Sequence, residues 1–354
     1  MRLIFEKRPQ ASRSMRWLAP VIAIFLTVLC GSVLFAASGI KVSQGLYIYF
    51  IEPLVTIWSW EELIIKAAPL ILIATGLVVC FRANVWNIGA EGQLVAGALA
   101  GSILPIEFAW QVWWGLPLML ITGAIGGACF AAIPAFLKNR MGVNEILTSL
   151  MLVYVAGFLL DWLVRGPWRD PHGFNFPKSI AFEGWYSLPT FGDGRLHAGT
   201  ILVLLVVGLA WFVFARTRKG FEIIVFGEAP RAAAFAGFSR TRLVWMCFLV
   251  SGACSGLAGI IEVAGPVGQL QPSISPGYGF TAIIVAFLAR LYPPGVLFGG
   301  LLLAISYIGG EGAQIALGLS DKIAQVFQGL LLFFLLAADF LVHYRIRLTR
   351  LRLK

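Results

Sequence analysis

Apolar residues follow one another almost without pause along this chain, in stretches of about 20, the length a helix needs to cross a bilayer core. Ten stretches stand out, at residues 17–38, 61–81, 87–104, 112–137, 144–164, 198–215, 243–264, 278–291, 294–310 and 321–342. The third, eighth and ninth are short or interrupted. None alternates with the period of two that a transmembrane barrel strand would show. The pattern predicts an all-α polytopic membrane protein of about ten transmembrane helices, some short or broken. Residues 45–58 are also apolar but carry Glu52 and Pro53 among Tyr47, Tyr49, Phe50, Trp58 and Trp60. That mixture suits an interfacial segment on the outer face.

The polar interruptions carry the information. Between Phe81 and Gly97 the chain places Asn87, Glu91, Gln93, Gly89, Gly92 and Gly97 at the mouth of an apolar run. A carboxylate in hydrocarbon requires an aqueous cavity or a protein partner. If this stretch is helical throughout, Asn87 and Glu91, four residues apart, share one face. Two readings of Glu91 stand together: it lines a path through the bilayer, or it forms a buried structural pair with a residue such as Arg82. A second break, Gly265 to Gly279, holds three prolines and offers Gln269, Gln271, Ser273, Ser275 and Tyr278 as uncharged hydrogen-bonding groups. Proline and glycine forbid a regular helix there. Such a lining suits a neutral polar solute, and it is equally the composition of a surface loop. Further polar groups near membrane depth are Asn144 and Glu145, expected to cap the fifth span, Asp161, Glu262, expected near a wet interface, Asp339, expected to be paired beside the tail, and Glu311 with Gln314.

Composition supports the same class: 59% of the 354 residues are hydrophobic and 12% charged. The net charge of +10 would suit a nucleic-acid partner, but its distribution argues for topology instead. With a cytoplasmic start, 20 of the 27 Lys and Arg fall on inner segments and seven on outer ones. That bias puts both termini in the cytoplasm. The domain organisation expected is a basic cytoplasmic N-terminus (1–16), a transmembrane domain (17–342) and a basic cytoplasmic tail (343–354) that touches anionic membrane lipid. The first apolar stretch is too long for the core of a cleaved signal peptide. The five cysteines lie inside apolar runs and read as small core hydrophobes.

Two loops are long enough to have a role. The outer loop 165–197 is rich in proline and aromatics and reads as a plug or a docking surface. In the inner loop 216–242, Glu228-Ala229-Pro230 opens a short helix, Ala232 to Ala236 continues it, and Gly237 stops it. The residues alone leave open whether this is a connector or a contact element. Gly-xxx-Gly spacings at 97/101, 123/127, 252/256 and 295/299 suggest closely packed helices. A faint echo relates Gly89–Gln93 to Gly310–Gln314, one in each half of the chain.

Absences narrow the function further. No Gly-Lys dipeptide occurs, so the chain has no phosphate-binding loop of its own. His172, His197 and His343 all fall outside the apolar runs, and there is no Gly-x-Ser-x-Gly. No metal, cofactor or catalytic residue is expected. An ion-coupled carrier acting alone would need acid pairs at mid-membrane, for which Glu91 is thin support.

Three stretches, Asn87-Ile-Gly-Ala-Glu-Gly-Gln93, Asn144-Glu-Ile-Leu-Thr-Ser-Leu-Met-Leu152 and Gly227-Glu-Ala-Pro-Arg-Ala-Ala-Ala-Phe-Ala-Gly237, resemble in order and spacing the permease subunits of nucleoside-type ABC importers. That group also serves ribose and branched-chain amino acids, and the resemblance runs from about residue 60 to 342. It implies a bacterial inner-membrane permease paired with a second homologous permease subunit, cassette ATPase subunits inside and a solute-binding lipoprotein outside, with no nucleic acid. It further implies that Glu228, Ala229, Pro230, Arg231, Phe235 and Gly237 couple to the ATPase. Ala229 stands where relatives often carry Asn, which weakens the cap. A path would then be lined by Asn87, Glu91 and Gln93, with Gln269, Gln271 and Tyr278. The expected solute is nucleoside-like, with a simple sugar as the alternative.

Overall fold

The computed structural model describes residues 2–7, 13–108, 112–192, 194–320 and 322–349. The helices are α1 (Arg13–Ala37), α2 (Val42–Leu46), α3 (Ile57–Arg82), α4 (Ala90–Ile103), α5 (Gly115–Met141), α6 (Glu145–Arg165), α7 (Gly199–Arg216), α8 (Arg218–Glu228), α9 (Pro230–Phe235), α10 (Arg240–Glu262), α11 (Tyr278–Leu288), α12 (Pro293–Leu317) and α13 (Lys322–His343). A wider, π-helical turn extends α4 to Phe108 and α10 to Val267. Among the described residues, seven helices are long and apolar enough to cross a membrane: α1 from Leu18, α3, α5, α6, α7, α10 with its π turn, and α12. The protein is therefore a multi-pass, helical membrane protein.

The breaks expected in the third and eighth apolar stretches are present: α4 has 14 residues and α11 has 11. The ninth differs. Instead of ending near residue 310, α12 continues through Gly309-Gly310-Glu311-Gly312 to Leu317. One of these glycines lies close to a neighbour: a Cβ on Gly309 would lie 2.7 Å from the carbonyl carbon of Tyr49. Gly310–Gln314 thus sits inside a helix, whereas Gly89–Gln93 opens one, and the echo between them has no structural counterpart.

The chain forms two compact units, one of residues up to Ser59 together with those from Ile305, the other Trp60–Ala304. In the first unit α1 packs along α13. Its small core stacks Tyr49 on Phe327 at 4.4 Å between ring centroids, and the Tyr49 hydroxyl bonds Ser306 at 2.6 Å. Residues 45–58 are therefore only partly interfacial: Tyr47 and Trp58 are exposed, but Tyr49 is fully buried. Two short strands, β1 (Arg2–Lys7) and β2 (Tyr344–Thr349), pair antiparallel with Glu6 opposite Arg345. This pair is the exception to the all-α expectation. Tyr-Arg-Ile-Arg-Leu-Thr alternates with the period of a strand. The rest of both tails and the Asp339 side chain lie outside the described residues.

In the second unit α4, α5 and α10 pack most closely. A Cβ on Gly97 would collide with the Gly256 backbone, and one on Gly127 would sit 2.6 Å from the Cα of Gly256. These helices touch backbone to backbone, which larger side chains would prevent. The 295/299 pair brings α12 against α11, with Gly299 at 3.1 Å from the Val285 carbonyl on the same reckoning. Central and peripheral helices separate clearly: 83% of the apolar window of α3 is buried, against 17% for α6. Leu147, Met151, Phe158 and Trp162 of α6 face outward, as an apolar helix does in lipid. Cys80 and Cys247 are buried between α3 and α10, while Cys129 is exposed on α5 rather than being a core residue.

Candidate functional site

The site begins where α3 ends. After Arg82 the backbone turns through Asn84 at φ +53 and runs without helix to Gly89. Because α4 starts only at Ala90, Asn87 lies outside the helix and shares no helical face with Glu91, contrary to the spacing argument. Asn87 instead clasps Gln93. Its Nδ2 donates to Gln93 Oε1 at 2.9 Å and to Ser251 Oγ at 3.0 Å, and Gln93 Nε2 donates back to Asn87 Oδ1 at 2.9 Å. The Gly89 N–H also donates to Asn87 Oδ1, and the Ile88 N–H to Ser149 Oγ. Asn87 and Gln93 are fully buried. Asn87 and Ser149 satisfy amides that the missing helical turn leaves without partners, which hydrocarbon could not do.

Glu91 is placed differently. It stands in the first turn of α4, opposite the first turn of α11, and its Oε2 accepts the Gly279 N–H at 2.6 Å. The Ser275 side chain and the Gly277 backbone are further hydrogen-bonding neighbours. The two helix starts approach so closely that a Cβ on Gly279 would lie 2.5 Å from the Cα of Glu91. Arg82 is not its partner: that guanidinium lies over the Phe214 ring, 5.5 Å from its centroid. Glu91 forms part of the floor of an open groove of about 310 Å³, walled by Tyr154 and Phe158 of α6 and by Pro272, Ile274, Ser275 and Phe280. The groove thus combines an apolar wall, a carboxylate fixed by backbone donors, and two hydroxyls. These groups offer hydrogen bonds within an apolar surround.

Of the other expected path residues, Gln269 and Gln271 are half-buried and do not line this groove. Tyr278 is buried and its hydroxyl donates to Glu262 at 3.5 Å. Glu262 is buried too, not wet. The break 264–271 is covered by the loop 165–197. The amides of Ser179, Phe182 and Leu188 donate to the carbonyls of Leu270, Gly268 and Ala264, and the Leu270 amide donates to Ser179 Oγ. The loop thus supplies hydrogen-bond partners to backbone in the last turn of α10 and in the non-helical segment after it. At one end of the loop His197 is buried against Gly199 and Gly265, and its Nδ1 has no hydrogen-bond partner.

A second arrangement lies in the loop 216–242. It contains two helices rather than the single one expected. Glu228 is the last residue of α8, not an acid in the first turn of α9. Ala229, at φ −141 and ψ 70, separates the two, and Pro230 opens α9 with no side-chain cap. Gly237 at φ +79 ends it, its N–H reaching the Ala234 carbonyl while that of Phe238 reaches Ala233. Only glycine adopts that conformation without strain. α9 buries Ala233 and leaves Arg231 exposed and Phe235 98% exposed. Near the same end of the molecule Asn144 caps α6 by accepting the Ile146 N–H, and Glu145 pairs with Lys138.

Sequence reasoning missed Ser149, Ser251 and Gly279. Ser149 lies inside the Asn144–Leu152 motif and Ser251 beside the Gly252/Gly256 pair. Gly279 had no signal beyond closing a glycine-rich break.

Residues 59–336 match the family described as branched-chain amino acid transport system / permease component. The chain is 35% identical to a glucose ABC transporter permease protein of Haloferax volcanii, over 93% of this chain and 90% of that one. It is 29% identical to a guanosine ABC transporter permease protein of Bacillus subtilis, over 95% and 96%. A nucleoside ABC transporter permease protein of Lactococcus lactis is 28% identical over 94% and 93%.

Proposed function

The chain belongs to the branched-chain amino acid transport system permease family, and on that premise we propose that it forms the translocation path of an ATP-driven importer for a nucleoside-like solute. The observation that carries this reading is the groove at Glu91, where a carboxylate held by the Gly279 amide and two hydroxyls are set in apolar wall between two helix starts. Both termini lie in the cytoplasm, and α4 with α11 and α13 complete about ten membrane-embedded helices. The loop 165–197 then faces outward, where a solute-binding lipoprotein delivers its cargo. The α9 surface faces the cytoplasm of a bacterial cell, where cassette ATPase subunits dock on Glu228 to Gly237 through the exposed Arg231 and Phe235. A second homologous permease completes the pair. The chain performs no bond chemistry, and hydrolysis belongs to the ATPase chains. Glu91 lines the path, with Tyr154 and Ser275 beside it. Asn87, Gln93 and Tyr278 hold the path open from behind, and Gln269 and Gln271 edge the outer break.

A simple-sugar solute is the second reading, favoured by the 35% identity to a glucose permease. Transport in vesicles with the cognate ATPase, partner permease and binding protein separates the two. Competition by nucleosides and not by glucose or ribose is expected; the reverse pattern assigns the sugar. Uptake by this chain alone under a proton gradient would overturn the ATP-driven reading altogether.

A further inference from the structure

The helix α8 is wedged between two helix ends, and glycine makes both contacts possible. At its start, a Cβ on Gly220 would lie 2.6 Å from the Cα of Phe214, the aromatic residue on α7 that also carries the Arg82 guanidinium. At its other end, a Cβ on Gly227 would run into the carbonyl oxygen of Arg82 and lie 3.0 Å from the carbonyl carbon, with Ala83 Cα at 3.4 Å. Those atoms are backbone and cannot swing aside as a side chain would. Arg82 is the last residue of α3, and Ala83 is the first of the non-helical segment that leads to Asn87 and Glu91. Two residues beyond Gly227, Ala229 breaks the helix, and α9 begins at Pro230.

We propose that α8 is a lever, and that Gly227 is the contact through which movement of α9 reaches the polar break before α4. The inference rests on the reading of α9 as the surface on which the ATPase docks. A push on α9 crosses the single non-helical residue Ala229 into the end of α8. Gly220 holds the far end against α7, so the displacement appears at Gly227, on the Arg82 carbonyl. From there the chain has little slack. Ile88 is held by Ser149 of α6, and Asn87 by Gln93 of α4 and Ser251 of α10. Movement at residues 82–83 is therefore passed to the start of α4 and to the carboxylate of Glu91. A backbone-to-backbone contact suits this role because it deforms less than a contact between flexible side chains.

Gly227→Ala tests this. Replacing an interior helical glycine with alanine ordinarily stabilises the helix. Here the added methyl would separate α8 from Arg82 and shift the lever without removing any charge or hydrogen bond. Gly208→Ala on α7, where an added Cβ meets nothing within 4 Å, is the control. Both variants are assembled with the ATPase, partner permease and binding protein. Solute moved per ATP hydrolysed is measured, together with the distance between spin labels at Asn84 and at Ala236, exposed at the end of α9, through the ATP cycle. Gly227→Ala is expected to assemble, to hydrolyse ATP, and to lose about tenfold in solute moved per ATP. The ATP-dependent change in label distance should be altered, and Gly208→Ala should match the unsubstituted protein. An unchanged transport ratio with an unchanged distance response would overturn the lever. Should Gly227→Ala fail to assemble, two label pairs in the chain with Gly227 intact decide: an Asn84–Ile103 distance that stays fixed through the ATP cycle while the Asn84–Ala236 distance changes would refute it. Failure of the unsubstituted assembly to couple transport to ATP would instead refute the docking reading.

Discussion

The seam between α4, α5 and α10 and the groove at Glu91 lie on the same helix, α4, and are built on opposite rules. Along the seam Gly97, Gly127 and Gly256 bring backbones into contact, leaving no side chain to rearrange. At the groove, in the first turn of α4, a carboxylate reaches across to the start of α11 and an apolar wall stands open. The seam gains its stability from close packing, which lipid does not compete for. The groove leaves space unfilled beside Glu91. One helix thus carries a rigid strut and one side of an open groove, divided by position along its length.

The largest effect is expected where the seam is overfilled. Gly256→Leu should destabilise the protein by more than about 3 kcal/mol, since neither α4 nor α5 can withdraw without breaking its other contacts. Gly157→Ala on α6, where nothing lies within 4 Å, should change stability by less than about 0.5 kcal/mol. Thermal unfolding in detergent compares the two, and equal shifts would erase the distinction between strut and groove. Next come the two polar residues that sequence spacing had grouped together. Asn87→Ala leaves Gln93, Ser251 and the Gly89 N–H short of a partner and should cost about 1–3 kcal/mol. Glu91→Gln keeps an acceptor for Gly279, so it should shift stability by under about 1 kcal/mol while lowering transport at least about tenfold. A Glu91→Gln variant that unfolds like Asn87→Ala but transports normally would reverse their roles.

The smallest effect is set by pH. Burial without a partner pushes the His197 imidazole down to about 4. The folded value lies below that of the unfolded histidine, about 6.5, so the unfolded state binds the proton more readily. Packing of the loop 165–197 is then complete above pH 6.5 and weakens as pH falls towards 4. Hydrogen exchange in residues 179–188 should rise across that window and not above it, and His197→Phe should flatten the response.

Much of the fold was legible because membrane spans are local features. Length and hydropathy place α3, α5, α6, α7 and α10 within a few residues, and Asn, Pro and Gly mark the breaks before α4 and α11. Pro230 and Gly237 likewise bound α9, since helix initiation and termination depend on residues in direct sequence. Legibility failed where a neighbour decided the outcome. Glycines that promised an early end to α12 are helical, one of them close to Tyr49, and Glu228 closes α8 because Gly220 and Gly227 let that helix lie against α7 and α3. The pairing of 2–7 with 344–349 joins the two ends of the chain, which no local window contains.

By itself the sequence determined that this chain lives in a bilayer, where its helices break, and which polar residues lie at the breaks, because each of these follows from transfer of local segments between water and lipid. Tertiary structure alone decided which polar residues meet. Asn87 turned inward to Gln93 and Ser251, and Glu91 found an amide 188 residues away. A buried polar group must take whatever partner the packed helices bring within about 3 Å, and that distance is set by the close contact of glycines far apart in the chain.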